Sequence, residues 1–162
     1  MIQVGLKIGA DVPFFLAEGA QRVTGIGEIL EPISVPSLPV VLINPGFPVS
    51  TADVYRWWDK QEKIPPGPPF SKGGSRLTEI KTDAIPPLLE NDLEEVVISR
   101  YPVLAEVKET LVKAGALGAL MSGSGGTVFG LFESVASRDR GFDLIVSKKD
   151  PDWWLWKGNA RG

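Results

Sequence analysis

Residues 117–132 read LGALMSGSGGTVFGLF, and no other stretch limits the fold as tightly. Two short apolar runs, 117–121 and 127–132, flank Ser122, Gly123, Ser124, Gly125 and Gly126. Runs of this length suit buried strands, and a glycine-rich break this short turns the chain back alongside itself. An antiparallel pair is expected, set in a largely antiparallel sheet. The turn is no Walker loop, since no Gly-Lys-Ser/Thr follows, and no dinucleotide fingerprint, since a strand and not a helix comes next. Two readings of it stand. It is a tight turn whose glycines serve the backbone alone, or a nest of amides and hydroxyls that a ligand approaches closely.

The rest of the chain fits around that pair. Residues 1–7 read as the end of a helix, with Gly9 as its terminator. Pro13 predicts extended backbone at Val12, and 14–16 a short buried strand. Glycines at 25 and 27 place a hairpin within 20–33. The run 39–44 is the clearest early strand, stopped by Pro45-Gly46. Ser50 or Thr51 caps a helix with Val54, Trp57 and Trp58 on its apolar side. IPPGPPFSKGG, residues 64–74, sustains neither helix nor strand and reads as an inserted surface loop.

Helices resume after Pro86-Pro87. Asp92 and Glu95 have capping-box spacing, and Asn91 and Asp92 read as caps rather than ligands. Pro102 opens a helix in which Leu104, Val107 and Leu111 recur at helical spacing up to Gly115. A short helix is predicted at 133–140, and strands at 142–147 and 153–157. Trp153, Trp154 and Trp156 read as core and edge-strand packing, and Lys148-Lys149 as a solvated face. This order predicts an α+β sandwich with helices on one face of the sheet.

Composition narrows the chemistry. With no His and no Cys, the chain has no imidazole base, no Ser–His pair, no thiolate and no disulfide. A net charge of −3 argues against nucleic acid as a partner. No run of about 18 apolar residues suggests a membrane span, and MIQVGLKIGADV lacks the pattern of a secretory leader, so a cytoplasmic location is expected. Carboxylates then matter more than usual. KIGADVPFFL, residues 7–16, sets Asp11 in apolar company, where an unpartnered carboxylate costs several kcal/mol. Asp11 caps the turn after Gly9, or it is a carboxylate held for work.

Four stretches then combine. GADVPFF at 9–15, INPGFPVSTADVY at 43–55, NDLE at 91–94 and LMSGSGGTVFG at 120–130 occur in an order that resembles the GHMP small-molecule kinases. The resemblance implies that 1–36 is the end of an N-terminal ATP-binding domain containing the G-A-D-V-P motif. It implies that 37–162 is a C-terminal domain, a ferredoxin-like α/β sandwich with a Pro/Gly-rich insertion at 64–74. It implies ATP and Mg2+, and a small-molecule alcohol acceptor. In the branch most similar to this chain the acceptor is the 2-hydroxyl of cytidine diphosphate methylerythritol, in non-mevalonate isoprenoid synthesis.

By the same resemblance Asp11 is the general base that takes the hydroxyl proton. Thr51 matches a threonine near that base, a role open beside its reading as a helix cap. Gly123, Ser124, Gly125 and Gly126 match the late glycine motif that shapes the active site. The chain departs from the family in lacking P-x-x-x-G-L-G-S-S-A and an N-terminal lysine. It is therefore expected to be a C-terminal portion whose partner is the missing N-terminal half. The other readings are a stand-alone module that binds a small ligand and an inactive kinase remnant.

The 64–74 loop generates a first test. Its composition offers little apolar area to bury, and each doubling of loop length costs only about 0.6 kcal/mol. Replacing 64–74 by a short Gly-Ser link should leave the thermal midpoint, read by circular dichroism, within about 3 °C of the parent.

Overall fold

The computed structural model of the chain describes residues 7, 9, 12–17, 19–25, 28–60, 81–148 and 150–160. Its centre is strand β3, Leu38–Asn44, whose sequence LPVVLIN is apolar on both faces and buried along most of its length. A strand of that composition needs cover on both faces and neighbours on both edges. It has both. On one edge β3 pairs with β5, Val128–Leu131, from Val40 opposite Leu131 to Ile43 opposite Val128. On the other it pairs along all seven residues with β6, Trp154–Ala160. Strand β4, Gly118–Met121, lies outside β5, giving the order β4-β5-β3-β6 with every pairing antiparallel.

Between β3 and β4 run α2, Thr51–Lys60, two 3-10 turns at Thr82–Ala84 and Pro86–Leu88, α3, Glu94–Ile98, and α4, Val103–Lys113. Helix α5, Val135–Lys148, joins β5 to β6. The β-α-β-β-α-β succession is the ferredoxin-like sandwich. On the helical face Val41, Ile43, Met121 and Val128 meet Leu104, Val107, Leu111, Phe132 and Ile145, all at most 2% exposed. The opposite face is thinner: Leu38, Val40 and Leu131 are covered by Ile85, with Val35 and Leu89 alongside. Before β3 come α1, Val12–Leu16, and the hairpin of β1, Gln21–Thr24, with β2, Ile29–Pro32.

The glycine-flanking strands, the early hairpin, β3 and the helix opened by Pro102 match the sequence expectations. Two segments do not. Residues 14–16 belong to helix α1 and not to a buried strand, and Phe15 is 80% exposed. Pro13 stands in the first helical turn, where its missing N–H is not required and its fixed φ suits the helix. Residues 142–147 lie inside α5 and are not a strand. The apolar cluster Phe142, Leu144, Ile145 and Val146 imitates a strand, but burial falls at Arg138, Gly141 and Ile145, at helical intervals of three and four.

On α2, Val54 is fully buried and Trp57 packs against the core, but Trp58 is 38% exposed and stands outside the apolar side. Trp153 and Leu155 pack against the core, whereas Trp154 and Trp156 expose about half of their surface. A Cβ at Gly158 would overlap the outer edge of the Trp156 indole, so that side chain packs directly over the glycine of its own strand. The expected helix end at 1–6 and the 64–74 loop lie outside the described residues.

Arg138 ties α5 to the sheet edge by donating from Nη1 to Gly158 O at 2.8 Å and to Asn159 Oδ1 at 3.0 Å. Asp139 completes the seam with Lys157 at 3.0 Å. The hydrogen bond from Lys157, then that from Arg138, holds its carboxyl below the ordinary aspartate value.

Gly141 decides how closely α5 seats. A Cβ there would stand 2.6 Å from Ala114 O and 2.8 Å from a Phe132 ring carbon. Gly141→Ala gains about 1 kcal/mol of helix propensity. It collides with a backbone carbonyl and a fully buried ring, and overpacking of that kind costs about 1–3 kcal/mol. The collision should win: urea unfolding should show a lower midpoint at unchanged m-value, and a higher midpoint would mean that α5 shifts freely.

Candidate functional site

The glycine turn between β4 and β5 is a hairpin connection that cannot hold its shape by itself. Gly123, Gly125 and Gly126 have φ of 55°, 111° and 84°, a region open to glycine and strained for other residues. Two backbone bonds close it, Ser122 N to Thr127 O at 2.8 Å and Gly125 N to Ser122 O at 3.1 Å. At Gly125 packing also opposes a side chain. A Cβ on Gly125 would come within 2.9 Å of Met121 Sδ and 3.3 Å of Val97 Cγ1.

Side chains from other elements supply the remaining restraint. Asn91 Nδ2 donates to Met121 O at 2.8 Å and to Gly123 O at 2.9 Å, while its Oδ1 accepts from Leu93 N at 3.0 Å. Glu94 Oε1 accepts from Met121 N at 2.9 Å, and its other oxygen is held by Lys108. Asn44, the last residue of β3, donates from Nδ2 to Thr127 Oγ1 at 3.0 Å and accepts from Gly46 N at 2.8 Å.

Thr51 Oγ1 and Ser124 Oγ lie 2.7 Å apart and share a hydrogen bond across 73 positions of sequence. Thr51 is free to do this because Ser50 caps the helix. Ser50 O accepts from Asp53 N and Val54 N, both at 3.0 Å, and Ser50 Oγ accepts from Asp53 N at 3.3 Å. Asp92 is exposed and caps nothing among the described contacts, so the capping box of Asp92 with Glu95 is replaced by the Asn91 bonds.

These contacts form one wall of a cleft of about 620 Å3, open to solvent, between the start of α2, the segment 90–93 and the β4–β5 turn. Thr51, Ser122, Gly123 and Ser124 line it on one side. Tyr55, Trp58 and Phe129 contribute aromatic surface, and Tyr55 is 54% exposed. Glu90 and Asp92 give it acidic character, and no lysine or arginine lines it among the described residues. Of the residues singled out from sequence, the structure brings Thr51, Gly123 and Ser124 together; Gly125 and Gly126 shape the turn behind them. Asp11 lies outside the described residues.

The sequence reading assigns no site role to four side chains, Asn44, Glu94, Tyr55 and Trp58, the last of which it places on the apolar side of its helix. Each sits inside or beside a quoted motif, but strand ends, helix starts and stacked aromatics all use such residues structurally, so composition alone does not mark them.

Residues 80–142 match the family model described as GHMP kinases C terminal. The chain is 47% identical over 167 residues to a 4-diphosphocytidyl-2-C-methyl-D-erythritol kinase of Geobacter metallireducens, covering 96% of this chain and 53% of the relative. A protein of the same description from Citrifermentans bemidjiense is 48% identical over 136 residues, covering 83% of this chain and 46% of the relative.

Among solved structures, a 4-(cytidine 5'-diphospho)-2C-methyl-D-erythritol kinase superposes with a TM-score of 0.70 at 29% identity, over 99% of this chain and 57% of that one. Mevalonate kinase of L. major shares the fold, with a TM-score of 0.55 at 19% identity over 87% of this chain and 48% of that one. The chain thus spans about half the length of the curated relatives it matches.

Asn91 tethers the turn, whereas Asp92 beside it is an exposed acid. Asn91→Asp keeps the acceptor for Leu93 N but turns both carbonyl-directed donors into a carboxylate oxygen, and should cost about 1–3 kcal/mol. Asp92→Asn should be near neutral, within about 0.5 kcal/mol, as for an exposed side chain without such a role. Chemical denaturation of both variants checks the pair.

Proposed function

We propose that this chain, whose residues 80–142 match the family model described as GHMP kinases C terminal, forms the C-terminal part of an ATP-dependent, cytoplasmic phosphotransferase. Its acceptor is the 2-hydroxyl of 4-diphosphocytidyl-2-C-methyl-D-erythritol, the substrate named by the relatives and by the structural neighbour. The carrying observation is the meeting of two distant stretches, STADVY and SGSGG, through the Thr51–Ser124 hydroxyl pair at the wall of an open cleft. In this reading residues 1–36 close an N-terminal domain and 37–162 form the C-terminal one.

Phosphoryl transfer asks a protein for positioning, charge stabilisation and a group that takes the hydroxyl proton. Asp11 is assigned the last role, since a chain without histidine has carboxylates for it. Thr51 faces the cleft and positions the acceptor or the base. Gly123, Ser124, Gly125 and Gly126 give a thin wall that lets ligand and phosphate loop approach. Tyr55 and Trp58 offer ring faces to a planar base.

Mg2+ and the ATP phosphates fit poorly on this half alone. Among the described residues no three carboxylates converge as a metal site, and the cleft is lined by acids without a cation. The metal's ligands and the phosphate clamp are therefore assigned to the N-terminal half.

Two measurements test this. The 162-residue chain by itself should show no ATP-dependent turnover of the methylerythritol substrate above a blank, because it lacks the phosphate clamp. Fused behind the N-terminal half of the Geobacter metallireducens relative, it should turn over, and Asp11→Asn in that fusion should lower kcat by about 10²- to 10⁴-fold with ATP binding unchanged. Near-normal turnover of the variant would remove Asp11 from the mechanism.

A further inference from the structure

A second pocket, of about 170 Å3, lies between α4 and α5 on the helical face of the sheet and shares no residue with the cleft. Its inner surface is apolar: Ile145, 2% exposed, with Ala114 and Trp153, all part of or packed against the main core. Leu144 and Thr110 form the outer walls. At the mouth stand Lys113 and Lys148, the last residues of α4 and α5.

The size and the charge each say something about an occupant. An apolar cavity of about 150 Å3 accepts a benzene-sized molecule, so this one admits an apolar body of about six to eight carbons. Walls that lack packing partners forfeit dispersion contacts, which such a body restores. At the mouth, two helix C-termini would by themselves favour a cation, each carrying about half a negative charge. Lys148 carries a full ammonium charge, larger than the half charge of its own helix end, and reverses that sign locally at the end of α5. Lys113 is partly committed, paired with Glu109 at 2.8 Å. Lys148 is exposed and has no ion pair among the described residues. An incoming anion therefore meets Lys148 first.

We propose that this pocket binds a small carboxylic acid with a phenyl-sized apolar body, the ring against Ile145 and Trp153 and the carboxylate at Lys148. The site stands whether or not the kinase assignment does, since it uses none of the same residues. Rigid acids of this size gain little free energy per atom in total, so dissociation constants of about 1–10 mM are expected.

The test uses the full 162-residue chain, titrated with phenylacetate and followed by amide and indole N–H shifts in two-dimensional NMR. Saturable shifts should appear at residues 110–114, at 144–148 and at the Trp153 indole. Phenethyl alcohol, with the same ring and no charge, should bind about 3- to 5-fold more weakly, the worth of one exposed ion pair. Lys148→Glu, an exposed substitution that leaves the core untouched, should remove that preference while leaving alcohol binding unchanged. Absence of saturation at 20-fold the expected constant, equal binding of acid and alcohol, or shifts confined to residues 51–58 and 120–124 would each overturn the proposal.

Discussion

Burial of both faces of β3 is the constraint on which the rest depends. Its backbone is paired along both edges, and Val41 and Ile43 are fully buried on one face while Leu38 and Val40 are nearly so on the other. Fully burying one such side chain is worth about 1.5–3 kcal/mol, and four of them on alternate faces leave the strand no room to slip by a residue. Register is therefore fixed, and with it the position of Asn44 where the strand ends. From that point the chain turns through Pro45-Gly46, where the side-chain Oδ1 of Asn44 accepts from Gly46 N, and enters α2. The same Asn44 reaches Thr127 at the far side of the glycine turn. The two halves of the cleft wall are thus referenced to one strand end.

The glycine turn shows the opposite economy. Three glycines at positive φ have much conformational freedom to lose, roughly 1–2 kcal/mol per residue for the backbone alone. Two backbone bonds do not offset that. The difference comes from Asn91, Glu94, Asn44 and Thr51, each contributing a hydrogen bond worth about 1 kcal/mol net. None of these four is a neighbour in sequence, so the turn is ordered only when β3, α2, α3 and the hairpin are all in place. A surface that thin and that firmly held is costly for a plain connection and suited to a wall against which a ligand is pressed.

Much of this was legible in the sequence, and the misses have physical causes. Continuous apolar runs bounded by glycine and proline marked β3, β4 and β5, because central strands buried on both faces have little room for polar residues. Helix α5 was obscured because its buried stripe holds Arg138 and Gly141, residues whose apolar or spacer role appears only once Gly158, Ala114 and Phe132 are beside them. Trp58 was placed on the apolar side by its neighbour Trp57, yet consecutive helix positions diverge by about 100°, and the second indole turns toward the cleft. Asn91 and Asp92 look alike as caps in the sequence, and only tertiary contacts separate the tether from the exposed acid. The role proposed for Asp11 rests on motif resemblance, not on local geometry.

The charge distribution completes the division of labour. A transferring phosphoryl group carries spread negative charge, and protein stabilises it with cations and aimed donors. The cleft has hydroxyls, aromatic faces and two acids on its rim, and no lysine or arginine lines it among the described residues. That bears on both proposed substrates alike, because ATP carries a triphosphate and the proposed acceptor a diphosphate, and each such group is held best by charged donors. Under the proposed function the cations for both therefore come from outside this lining, and the wall itself contributes shape, hydroxyl contacts and ring faces.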